Sequence, residues 1–237
     1  MDILQDILLV APVVLFSFVA HEYAHGWAAW KQGDDTAHDL GLLNWDPRTY
    51  VDPFMTLVLP LVSWVGTGGN VILGGARSAP LNPANYRRPR LGDIIVSLAG
   101  VTANLLVAAL ASVLFVLCGA LGRAVGAMES SLGILQAMCV IAIRLNLFLI
   151  LFNLLPIPPL DGSHVVKNLL PPRLAAQYMR LARFGFLVLI LLLWFGANLL
   201  QVWLRPGIVV AQAIFVELGA FRLDSTLQWL PWTTPRS

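Results

Sequence analysis

Four apolar runs, at 7–30, 94–121, 134–156 and 184–204, constrain this chain more than any other feature. Each approaches or exceeds the roughly 20 residues that carry a helix across the ~30 Å hydrocarbon layer of a bilayer. A segment in lipid must satisfy its own backbone hydrogen bonds, which leaves helices as the form these runs can take. Composition agrees. Of 237 residues 58% are hydrophobic and 12% charged, with mean hydropathy +0.76, against roughly 25% charged in a soluble domain. The expected fold is an all-α polytopic membrane protein.

The net charge of +2 does not indicate a nucleic-acid partner, because the basic residues sit in short stretches between apolar runs, as juxtamembrane residues do. The start, MDILQDILLV, has no Lys or Arg before its apolar run and no small-residue cleavage site after it. It reads as a retained first helix rather than a removable signal. Between the first two runs lies FMTLVLPLVSWVG at 54–66, too short to span comfortably. It contains Pro60 and runs into GTGGNVILGGARSAPLNP, which suggests a re-entrant segment. The tail after Arg205 is apolar but interrupted by Glu217, so residues 1–205 are expected to form the membrane domain and 206–237 a tail with a short interfacial helix.

If 54–66 does not cross, the loops 31–91 and 157–183 share one face and hold ten of the fifteen Lys and Arg residues. The positive-inside rule then places those loops in the cytoplasm and the N-terminus outside.

Inside the first run stands VAHEYAHGW. On a helix His21 and His25 share a face, with Glu22 beside them, which is the HExxH arrangement of two zinc ligands and a general base. Three polar residues at bilayer depth are costly, and their clustering marks a functional site. A catalytic zinc takes three protein ligands and keeps a fourth position open. The extended HExxHxxGxxH pattern fails, since Ala28 and Lys31 stand where its Gly and last His belong. Glu129 and Glu217 are the only other glutamates, and neither lies in a polar pocket motif. Asp161 in FNLLPIPPLDGSHVV is the better third ligand: Pro156, Pro158 and Pro159 interrupt the helix before it, and Gly162 permits close backbone approach. Both the HExxH end of the first run and Asp161 fall toward the cytoplasmic side, so the three can meet at one depth. His164 stands as an alternative ligand or a neighbour of the site.

HEYAH, SLAGVTANLLVA and FNLLPIPPLDG together resemble the three signatures of the site-2 protease family of intramembrane zinc metalloproteases, over roughly residues 12–195. The chain is similar to the compact bacterial branch without an inserted PDZ domain. The resemblance implies a core of three transmembrane helices around a zinc ion held by His21, His25 and Asp161, with Glu22 as base and Asn153 holding an unwound substrate segment. It implies a multi-pass protein of the cell membrane whose partners are the bilayer and transmembrane protein substrates. It also favours a β-hairpin around Val71-Ile72-Leu73, on which a substrate strand could pair; by sequence alone an ordinary loop fits as well. Val101 replaces the proline of the family's AGPxxN-like motif, which weakens a substrate role for Asn104. Asn104 and Asn146 serve equally as ties between helices.

Arg144 within the third run calls for a partner or a wet cavity. His38 lies in a polar loop and reads as solvated. Cys118 and Cys139 lack CxxC spacing and read as buried hydrophobes. Trp27, Trp30, Trp194 and Trp203 suit interfacial anchoring. A catalytically silent scaffold or a small metal transporter are the competing readings, and Glu22 argues against both, since holding zinc does not need it.

Overall fold

The computed structural model describes residues 3–52 and 74–229, and every regular element among them is helical. Among the described residues four helices are long and apolar enough to cross a membrane: Ile7–Gln32, Pro89–Ala124, Gly126–Asn153 and Asn198–Phe221. The expected re-entrant or β-hairpin segment at 54–73 lies outside the described residues.

The first long helix, Ile3–Gln32, contains Pro12 and stops at Gly33, whose φ of +105° is the left-handed conformation that ends many helices. The second, Pro89–Ala124, begins on a proline, whose missing N–H costs nothing in a first turn. The third, Glu129–Asn153, ends just before the proline-rich stretch at 156–159, where regular helix cannot continue. The fourth apolar helix corrects the sequence expectation of a span at 184–204. The chain forms a helix Gly185–Phe195, breaks at Gly196, and resumes as Ala197–Leu218 with Pro206 inside it. Gly196 lowers helix propensity in mid-run, whereas Pro206 removes one hydrogen bond from a helix long enough to tolerate it. The boundary drawn at 205/206 therefore falls within a helix.

The chain divides into two compact units. One comprises 1–17, 104–155 and 184–237. Its core joins Leu9 and Val13 of the first helix, Ala111 and Phe115 of the second, 139–143 of the third, and Leu218. Asn146 donates to Ser17 Oγ at 2.9 Å and to the Ala142 carbonyl at 2.8 Å, so it ties the third helix to the first. Gln136, fully buried, donates to the carbonyls of Phe115 and Phe221 and accepts from Leu223 N–H and the Thr226 hydroxyl. All four of its hydrogen-bonding positions are thus used, and they fasten residues 221–226 to the second and third helices. Cys118 packs with Leu132 and Leu223, and Cys139 lies in the main core; both are buried, free thiols. Leu106, Leu110, Val113 and Leu117 leave an exposed apolar face along the second helix, too large for a water-facing surface and suited to lipid.

The other unit comprises 18–103 and 156–183. Ala28 and Ala29 pack against Tyr86 and Val96. Asp34, 1% exposed, staples the loop after the first helix to the approach to the second. Its Oδ1 accepts from the Thr36 hydroxyl at 2.5 Å and Asn85 Nδ2 at 3.0 Å, and its Oδ2 from Asn82 N–H at 2.7 Å. Burial alone would raise its pKa, but these donors hold the carboxyl below the ordinary value of 3.8. Arg87 N–H donates to the Gln32 carbonyl at 2.8 Å and Arg77 N–H to the Tyr50 carbonyl at 2.7 Å. The chain that leaves the first helix therefore returns to the same end of it before the second begins.

Candidate metal centre

The first helix places His21, Glu22 and His25 about two to three turns before its end at Gln32, and all three are buried. A four-residue interval stacks the two imidazoles on one face, with ring centroids 4.6 Å apart and planes 80° to each other. Across from them Asp161 opens the helix Asp161–Leu169. A carboxylate in a first helical turn is stabilised by the helix dipole. The Ser163 hydroxyl donates to the Leu160 carbonyl at 2.7 Å and closes this turn.

His21 Nε2 and His25 Nε2 are 3.0 Å apart, and Asp161 Oδ2 lies 3.3 and 3.4 Å from them. Ligand atoms about 2.0–2.2 Å from a tetrahedral zinc stand about 3.3 Å from one another. The spacing fits that ion. Two further observations agree. His25 Nδ1 lies 2.7 Å from the Val96 carbonyl, so its ring proton is committed there and Nε2 turns a lone pair toward the other donors, as an orienting partner of a metal-bound histidine does. Asp161 Oδ2 is buried without a hydrogen-bond donor of good geometry. Lone pairs converging at these distances repel unless a cation or proton lies among them. Among the described residues, this is the one group of three His, Cys, Asp or Glu side chains whose ligand atoms converge.

The structure thus brings together His21, His25 and Asp161, with Glu22 beside them. Asn104 and Asn153 belong to the first unit. Asn104 is fully buried in the second helix, and Asn153 donates to the Leu149 carbonyl of its own helix at 3.0 Å. His164 does not join the ligand set; its Nδ1 faces Asp93 Oδ1 at 3.2 Å. His38 is exposed and stacks on Trp30 at 5.2 Å. Arg144 rests over the Phe215 ring at 5.1 Å. The sequence reading missed Gly100: a Cβ there would sit 2.6 and 2.7 Å from Cε1 and Nδ1 of His21 and nearer still to His25 Nε2. A glycine in the middle of an otherwise well-formed helix was the signal, because such a glycine has a packing reason.

A multi-pass protein whose described elements are all helical, with a buried His-His-Asp cluster and an adjacent glutamate, falls in the class of membrane metalloproteases. The family model described as "Peptidase family M50" matches residues 117–194. The chain is 38% identical over 179 residues, 76% of its length and 77% of the relative's, to "Putative zinc metalloprotease YwhC" of Bacillus subtilis. It is 32% identical over 190 residues to "Putative zinc metalloprotease Rip2" of Mycolicibacterium smegmatis, covering 78% of this chain and 66% of that one. It is 31% identical over 189 residues to the Rip2 protein of Mycobacterium tuberculosis H37Rv, covering 80% and 67%. No solved structure matches the chain. The chain belongs to peptidase family M50, the site-2 proteases, and zinc is its metal.

Proposed function

We propose that this protein is an intramembrane zinc endopeptidase that cuts transmembrane segments of membrane-protein substrates, with His21, His25 and Asp161 holding the metal and Glu22 as general base. The convergence of two imidazole nitrogens and one carboxylate oxygen within 3.4 Å carries the reading. Zinc, when bound, supplies a Lewis acid that activates water and polarises the scissile carbonyl. Glu22 takes a proton from the attacking water as its oxygen adds to the peptide carbon. It then returns that proton to the amide nitrogen as the C–N bond breaks. Burial of Glu22 beside the ligands keeps bulk water from competing for that proton.

A substrate helix hides its peptide groups in its own hydrogen bonds and must be unwound before cleavage. Asn153 and Asn104 are assigned to hold the extended substrate. Because Asn153 Nδ2 is engaged with Leu149, its carbonyl oxygen is the group it offers to a substrate N–H. The Arg87 N–H to Gln32 carbonyl bond, which starts the second helix near the end of the first, supports one shared face for both ends of the loop between them, and the positive-inside rule then assigns the basic loops to the cytoplasm and the N-terminus to the outside. The protein is then an inner-membrane enzyme with its centre toward the cytoplasmic side.

Reconstituted with a membrane-protein substrate, the wild type should cleave, and Glu22→Gln should keep zinc and lose cleavage. A silent scaffold shows no cleavage in either, and a transporter moves zinc in both.

A further inference from the structure

We infer that Asp93 is a positioning residue for the metal centre, holding the helix Asp161–Leu169 in the register that delivers Asp161; this rests on the reading of that centre given above. Asp93, 4% exposed, sits in the first turns of the second long helix. Its Oδ1 lies 3.2 Å from His164 Nδ1, and its Oδ2 lies 2.5 Å from both Lys167 Nζ and Asn168 Nδ2. All three partners belong to the helix that begins at Asp161. Asn168 Nδ2 also donates to the His164 carbonyl at 2.8 Å, which locks the two partners together.

The helix needs such a tie. Nine residues are too few to hold a helix in place by backbone bonds alone, and the chain before it is proline-rich. Asp161, His164 and Asn168, at i, i+3 and i+7, share one face. A helix pinned on that face through its last two turns has the position of its first turn set as well. A buried carboxylate that accepts from three groups, one of them cationic, is compensated and therefore stiff.

The second helix thereby fixes both halves of the ligand set. Asp93, Val96 and Gly100 recur at helical spacing along one of its faces. Gly100 seats the two imidazoles, the Val96 carbonyl orients His25, and Asp93 holds the helix of Asp161. Partners of this kind outside the ligand set change metal affinity by about 10–100-fold when removed.

The test is zinc affinity of the purified full-length protein in detergent, read by competition with a chromophoric chelator. Melting of the zinc-free protein is measured alongside. Asp93→Asn should weaken zinc binding by about tenfold or more, and Lys167→Met, which removes one partly exposed donor, by about threefold to tenfold. Asp34→Asn, a stabilising clasp away from the centre, should lower melting without moving zinc affinity, as a merely structural role would. If Asp93→Asn does not fold, Lys167→Met decides. Wild-type affinity in the folded variants overturns the inference and leaves the metal centre standing. Failure of the wild type itself to bind zinc overturns both.

Discussion

Gly100 leaves no room for a side chain against His21: a Cβ on it would lie 2.6 Å from Cε1 of that imidazole. The second helix can approach the first this closely only because the position is bare. Gly100→Ala adds about 1 kcal/mol of helix propensity, so the helix itself should survive. The imidazoles must swing away to make room. Gly100→Ala should therefore retain wild-type helicity by circular dichroism and weaken zinc binding at least about tenfold, the scale of losing ligand orientation. Unchanged zinc affinity would show that the rings have room to spare.

Asp34 gives a pH-dependent prediction with a definite sign. Its folded-state pKa lies below the ordinary 3.8 because Asn82, Thr36 and Asn85 donate to the carboxylate despite its burial. A depressed carboxyl contributes stability in full above its unfolded pKa of about 3.9 and loses it as pH falls through the folded value. Asp34→Asn should lower stability at pH 7 by about 1–3 kcal/mol. Melting curves of the two proteins should converge as pH drops below about 4. A gap that stays constant with pH would mean that the carboxylate's charge plays no part.

Gln136 should prove as important to the C-terminal segment as any apolar residue. Gln136→Leu leaves the Leu223 N–H, the Thr226 hydroxyl and the Phe221 carbonyl without their partner, at a cost of about 2–4 kcal/mol. Limited proteolysis should then cut within 219–226 in the variant and spare the wild type. Equal protection in both would show that packing of Leu223 suffices.

The centre was legible where chemistry is local in sequence. HExxH sets two histidines one helical turn apart, and PIPPLDG marks a carboxylate at a forced break, so the side chains that the structure brings together could be named, His21, Glu22 and His25 from spacing and Asp161 as the better candidate among the carboxylates. The positions of the first three long helices followed from apolar runs, with ends that differ by two to five residues. What escaped depends on partners far along the chain. Asp93 and Gln136 look like ordinary polar residues near helix ends until His164 and Leu223, tens of residues away, are brought to them. The last helix was misplaced because its bounds were read from the apolar run alone: Gly196 breaks that run, and Pro206 is absorbed within the helix that follows.

Substrate unwinding should be visible in rates. A transmembrane substrate with Gly near the scissile bond should be cut faster than the same segment made of Leu, since Gly costs about 1 kcal/mol in a helix relative to Ala and Leu is a strong helix former. Asn153→Ala should slow the Leu segment more than the Gly segment, because its work is to hold a backbone that the Leu segment yields reluctantly. Initial rates for the four combinations decide this, and equal rates on both segments would remove unwinding as the limiting step.

Zinc-edge X-ray absorption on the purified, full-length protein tests the central claim most directly. Two imidazole nitrogens and a carboxylate oxygen at about 2.0–2.2 Å, with the carboxylate contribution lost in Asp161→Ala, is the result expected of a centre built by His21, His25 and Asp161. A sulfur neighbour near 2.3 Å, or a coordination shell unchanged by Asp161→Ala, would contradict it.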